Sequence, residues 1–149
     1  MKKALAAIGL AAFAMPFAAA FAQDTPPQVA RHEIMEDIGD AMGVLGKMAK
    51  GETEYDADSA VTALGVMIDE TPQFLTLFPE GSESGHDTRA KPAIWENPDD
   101  FEANGEELIA AAEAARGPAG DGLEALRGAI GPVGQSCRGC HETYRVPKN

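Results

Sequence analysis

The chain is short of cysteine, of positive charge and of long apolar runs. Only two cysteines stand in 149 residues, Cys137 and Cys140. Three positions apart, they cannot staple distant segments, so stability must come from packing or a bound group. Lysine and arginine total 12 against 24 aspartates and glutamates, a net charge of −12. Phosphate contacts need clustered cations, so this balance excludes a nucleic-acid binder, and a docking protein should bring a basic patch. No run of residues alternates apolar and polar as a half-buried strand does. Beyond residue 22 no stretch is long and apolar enough to span a membrane.

The apolar run that does exist is at the start. Lys2 and Lys3 precede the alanine-rich stretch from Ala4 to Ala19, and Ala20-Phe21-Ala22 has the small-x-small form of a cleavage site. Residues 1–22 therefore read as a signal peptide cleaved between Ala22 and Gln23, which places the mature chain, residues 23–149, in the periplasm. Loss of Lys2 and Lys3 takes the net charge from −12 to −14. What remains fits one domain with one core.

Helical periodicity covers most of that domain. Ile34, Ile38, Ala41 or Met42, Leu45, and Met48 or Ala49 recur at the helical interval from Pro27 to Lys50, where Gly51 stops the pattern. Gly39, Gly43 and Gly46 lie beside this face, which suits close approach to a bound group or a partner helix, or a helix that merely tolerates them. Asp56 can cap a second helix carrying Ala60, Leu64, Met67 or Ile68, and Thr71, kinked or restarted at Pro72 and ending at Pro79. Residues 80–98 form a long polar connection holding Trp95, which reads as a plug. A third helix, capped by Asn97 or Asp99, runs to Ala115, and Gly117-Pro118-Ala119-Gly120 reads as a turn. Asp121 caps a fourth, whose seam of Leu123, Leu126, Ile130, Val133, Cys137, Cys140 and Tyr144 alternates by three and four. The expected fold is all-α: an antiparallel four-helix bundle with a long loop between its second and third helices.

Both cysteines belong to one pentapeptide, Cys137-Arg138-Gly139-Cys140-His141. Cys-x-x-Cys-His is the attachment signature of a c-type haem. Two thiols three apart on a helix can each form a thioether to a vinyl group, and the adjacent imidazole falls under the iron. A redox dithiol is the rival, but that motif opens a helix after a strand. A zinc site needs a second ligand cluster, which the sequence does not offer.

As a set, the motifs resemble the class II c-type cytochromes typified by cytochrome c′. Besides the pentapeptide and the following Glu142-Thr143-Tyr144-Arg145, the set comprises Arg31-x-x-x-Met35, Ala49-Lys50-Gly51, Leu77-Phe78-Pro79-Glu80-Gly81 and Ala90-Lys91-Pro92-Ala93-Ile94-Trp95. In class I cytochromes c the haem motif lies near the N-terminus and a methionine ligand follows it, whereas no methionine follows His141. The resemblance implies one covalent haem c on Cys137 and Cys140, with His141 as proximal iron ligand. It implies a basic residue near that histidine at Arg145, and contacts to the haem propionates from Arg31, His32 and Arg89. His86 reads as solvated loop.

Met35 decides between two functions. In this family its position faces the distal side of the iron. Ligated, Met35 would make the protein a six-coordinate electron carrier. As an unligated lid it would leave a five-coordinate site that binds NO or CO. The expectation adopted is ligation by Met35 and His141 and electron transfer, with no enzymatic role. Homodimerisation through the first two helices is compatible with the glycine stripe.

Overall fold

The computed structural model describes residues 25–147, so the cleavage site expected near Ala22 lies outside the described residues. The chain order is α1 (Pro27–Lys50), α2 (Ala57–Leu75), a single turn α3 (Ala93–Glu96), α4 (Pro98–Gly120) and α5 (Leu123–Tyr144). The four long helices make an antiparallel four-helix bundle, as the apolar periodicity requires. No strand is found among the described residues beyond one isolated antiparallel bridge, Ala90 with Arg145.

The core is a main cluster between the four long helices, with a smaller one of Ile94, Phe101 and Tyr144 beside it. α1 contributes Ile34, Ile38, Ala41, Leu45 and Met48, the same residues that carry its helical period. Leu64 and Met67 of α2, Ala112 of α4, and Leu126 and Val133 of α5 are fully enclosed with them. α2 and α4 pack closely, as do α4 and α5, while α1 leans chiefly on α2 and touches α5 only sparsely. That slack between α1 and α5 leaves room for a bound group between them.

Several helix ends differ from expectation for physical reasons. Asp56 does cap α2, its carboxylate accepting the Ser59 amide at 2.7 Å. Pro72 does not break α2, which runs on to Leu75. Phe78 instead lies in the connection that follows. The residues read as a turn, 117–120, are the last turn of α4. A helical proline deprives the carbonyl four residues back of its donor. For Pro118 that residue is Ala114, on the exposed face, where water can replace the lost bond. α5 is capped by Gly122, at φ 139, and not by Asp121, which closes α4. α5 continues through Pro132 to Tyr144.

Candidate functional site

A cavity of about 240 Å³ lies between the helices at the α1–α5 gap. Its walls come from four helices: Met35, Ile38 and Met42 of α1, Phe74 and Leu75 of α2, Phe101 and Leu108 of α4, and Cys137, Cys140 and His141 of α5. The spacing on α5 explains the last three. Residues 137, 140, 141 and 144 share one helix face, so the thiols and the imidazole point into the cavity while Tyr144 packs into the core behind Cys140.

A second, polar cavity of about 320 Å³ adjoins the first at Met35 and His141, which line both. Its other walls include Gln28, Arg31, His32, His86, Arg89 and Arg145. Two chain segments meet here. The Lys91 amide donates to Tyr144 O at 2.9 Å and the Val146 amide to Arg89 O at 2.8 Å. These bonds clamp the residues after α5 against the connection before α3, and they bring Arg89 and Arg145 to one rim. Arg145 is thus extended, one residue beyond the helix, with its amide still bonded to His141 O. Opposite them the chain passes through Gly85, His86 and Asp87, all with positive φ (90°, 49° and 53°). That conformation is uncommon for non-glycine residues, and it curls His86 onto the polar cavity.

Electrostatics separates the two ends. Burial pushes the Cys137 thiol up, and burial together with the neighbouring Cys137 pushes Cys140 up to about 11. A catalytic dithiol needs the opposite, a depressed thiol. His141 is pushed down, first by burial and then by the cations Arg145 and Arg89. A neutral imidazole is the form that binds metal. Among the described residues no three histidine, cysteine or carboxylate side chains converge as a metal site.

Arg31 is placed differently from the other cations. The residue is only 4% exposed. Nη1 donates to Leu77 O and Ser82 Oγ, both at 3.3 Å, and Nη2 to Ser82 O at 2.8 Å and Thr88 Oγ1 at 2.7 Å. These four bonds use every N–H of the two terminal nitrogens and leave only Nε–H. The group also sits over the rings of Phe78 and Trp95, 4.7 and 5.7 Å from their centroids. Burial pushes its pKa down. Arg31 therefore holds the 77–88 connection in place, helped by Gln28, whose amide donates to Ser84 O at 2.8 Å. His32 is exposed and lies 3.4 Å from Glu36.

Trp95 is not a wall of either cavity. Its indole donates to Phe78 O at 3.0 Å, and its ring meets Phe78 edge-on. Phe78 in turn packs on Phe101, which does line the apolar cavity. Tyr144 closes this aromatic wall against Phe101, with its hydroxyl bonded to Asp100. Burial first, then Asp100, pushes that phenol up to about 12. Sequence reasoning missed Phe74, Asn104 and Gly105 as cavity residues. For Phe74 the helical period was the available signal; for Gly105 there was none.

The donor set fits a haem. Two thiols and one imidazole share a wall of an apolar slot, and a polar end carries arginines where carboxylates can be received.

The family profile described as Cytochrome C′ matches residues 27–145. Cytochrome c-554 of Cereibacter sphaeroides is 42% identical over 77% of this chain and 77% of its own. Cytochrome c-556 of Agrobacterium tumefaciens is 36% identical, covering 79% of this chain and 95% of its own. The structure of cytochrome c′ from Rhodopseudomonas palustris superposes with a TM-score of 0.80 at 33% identity, covering 84% of this chain and 99% of that one. Proteins of this kind carry one covalently attached haem c with its iron, and the chain belongs to the cytochrome c′ family of class II c-type cytochromes.

Proposed function

We propose that the protein is an exported, periplasmic electron carrier. Cys137 and Cys140 hold the haem through thioethers, His141 is the proximal ligand and Met35 the sixth. One observation carries the ligation: Met35 and His141 are the two residues common to the walls of both cavities. Met42, one heptad along α1, lines the apolar cavity alone. The bound haem supplies a one-electron ferric–ferrous couple, and a thioether–imidazole pair raises its potential.

The chain's own residues do the rest. Ile38, Met42, Phe74, Phe101 and Leu108 exclude water from the cavity. The neutral His141 offers its lone pair, held so by burial and by Arg89 and Arg145. The same two arginines, at the mouth of the polar cavity, would receive the haem carboxylates. Arg31 keeps the covering connection closed, and it does so through backbone and hydroxyl groups.

The test is the absorption spectrum of the dithionite-reduced holoprotein before and after addition of CO. A sharp low-spin spectrum unmoved by CO supports the carrier. A broad high-spin spectrum that shifts with CO makes Met35 a lid and the protein a binder of NO and CO.

A further inference from the structure

The segments 86–91 and 138–146 carry four cations, Arg89, Lys91, Arg138 and Arg145, against two carboxylates, Asp87 and Glu142. Elsewhere the balance is reversed, and α4 alone has six carboxylates against one arginine. The fold joins the two segments into one face. Ala90 and Arg145 form the isolated bridge, and Nζ of Lys91 donates to Glu142 O at 2.8 Å across the end of α5. Arg138 stands one turn before Glu142 on the same exposed side of the helix. None of the three ion pairs among the described residues involves any of these cations. Val146 stands among them, its amide on Arg89 O. At 46% exposed, it is one of only two large apolar side chains exposed among the described residues.

Resting on the carrier reading above, we propose that this face is where a redox partner docks, through a carboxylate-rich surface with a small apolar centre. Net charge alone favours a basic partner. Remote carboxylates count little, however, because at about 0.15 M salt exposed charges are screened beyond about 8 Å. At contact the local balance decides, and here it is an apolar side chain within a cationic rim. Arg89 and Arg145 also line the polar cavity, where the haem carboxylates would draw on them. Lys91 and Arg138 line neither cavity and remain for the partner. A second copy docked about a twofold axis would set these cations against their own kind. The place also suits electron exchange. Both segments reach the proximal ligand: Arg89 lines the polar cavity with His141, and the Arg145 amide donates to His141 O at 3.2 Å.

The experiment uses the full-chain holoprotein at about 0.15 M ionic strength, with a small acidic blue-copper protein as probe. With both proteins reduced, amide shifts of the labelled holoprotein map the contact. With the probe oxidised, stopped flow measures the bimolecular rate. K91Q/R138Q removes two cations from the face, K47Q/K50Q removes two from the far end of α1, and V146S removes the apolar centre. Shifts should gather at residues 86–91 and 138–147. K91Q/R138Q should slow the reaction about fivefold and V146S about threefold, while K47Q/K50Q should change it less than about 1.5-fold. Equal slowing by the two double variants overturns the proposal. So does a lack of any shift with the acidic probe, or shifts centred on α4. Shifts of the same amides, equally large, with a strongly basic class I cytochrome c also overturn it. A neutral small-molecule oxidant separates the two readings. If the wild type fails to pass electrons to it, the carrier reading fails, while the shift map still decides the docking face.

Discussion

Gly105 of α4 sits on the wall of the haem cavity, packed tightly against Leu75 of α2. A Cβ at this position would stand 2.7 and 2.8 Å from the two terminal methyls of Leu75 and 3.1 Å from its Cγ. Glycine-to-alanine in an open helix gains about 1 kcal/mol from backbone entropy and propensity. Overpacking costs about 1–3 kcal/mol. Leu75 borders the haem cavity on one side and the groove beside Trp95 on the other, and displacing it into either strips it of packing, so the cost outweighs the gain and Gly105→Ala should lose roughly 1 kcal/mol net. Gly43 provides the control, because a Cβ there meets nothing within 4 Å. Gly43→Ala should gain about 1 kcal/mol, leaving the two sites about 2 kcal/mol apart. Guanidinium unfolding of the ferric holoprotein, followed by helical circular dichroism, measures both. Leu75→Ala in the Gly105→Ala background should show positive coupling, since the clash then has no second partner. Equal gains at Gly105 and Gly43, with no coupling, would refute the close approach.

Two further predictions concern charge. Arg31→Leu removes four hydrogen bonds from the 77–88 connection and should destabilise the protein by about 3 kcal/mol. Amide exchange at Ser82–Thr88 should accelerate far more than exchange in α4, and uniform acceleration would contradict the strut. Glu70 has a raised folded-state pKa, so its neutral form is the favoured one. Its contribution is full below the unfolded carboxyl pKa and is lost as pH rises through the folded value. Glu70→Gln should therefore stabilise the protein by about 0.5 kcal/mol at pH 7 and leave it unchanged near pH 3. An equal effect at both pH values would mean that the change acts through packing.

The bundle and the haem attachment were legible because their signals are local. The α1 residues that repeat at the helical interval, Ile34 through Met48, are the ones buried. Cys137, Cys140 and His141 reach one cavity because three- and four-residue steps share a helix face. Proline misled where solvent intervened: the turn read at 117–120 assumed that Pro118 ends a helix, yet the residue whose carbonyl it frees, Ala114, is exposed. Asp121 looked like a cap because its residue type favours that role, but Gly122 could adopt the φ of 139° found there. Arg31 was the least legible. Its partners Leu77, Ser82 and Thr88 lie 46, 51 and 57 residues away, and no spacing within α1 announces them. Trp95 belonged to the same hidden arrangement, since it packs on Phe78 beneath that guanidinium.

We propose that the sulfur of Met35, and not that of Met42, completes the iron's coordination. The most direct measurement is the long-wavelength ferric charge-transfer band of a thioether–iron bond, recorded for wild type, Met35→Ala and Met42→Ala. The band should be present in wild type, kept in Met42→Ala and lost in Met35→Ala, with CO binding gained only in the last. A wild type without the band, or a band lost in Met42→Ala and kept in Met35→Ala, would contradict it.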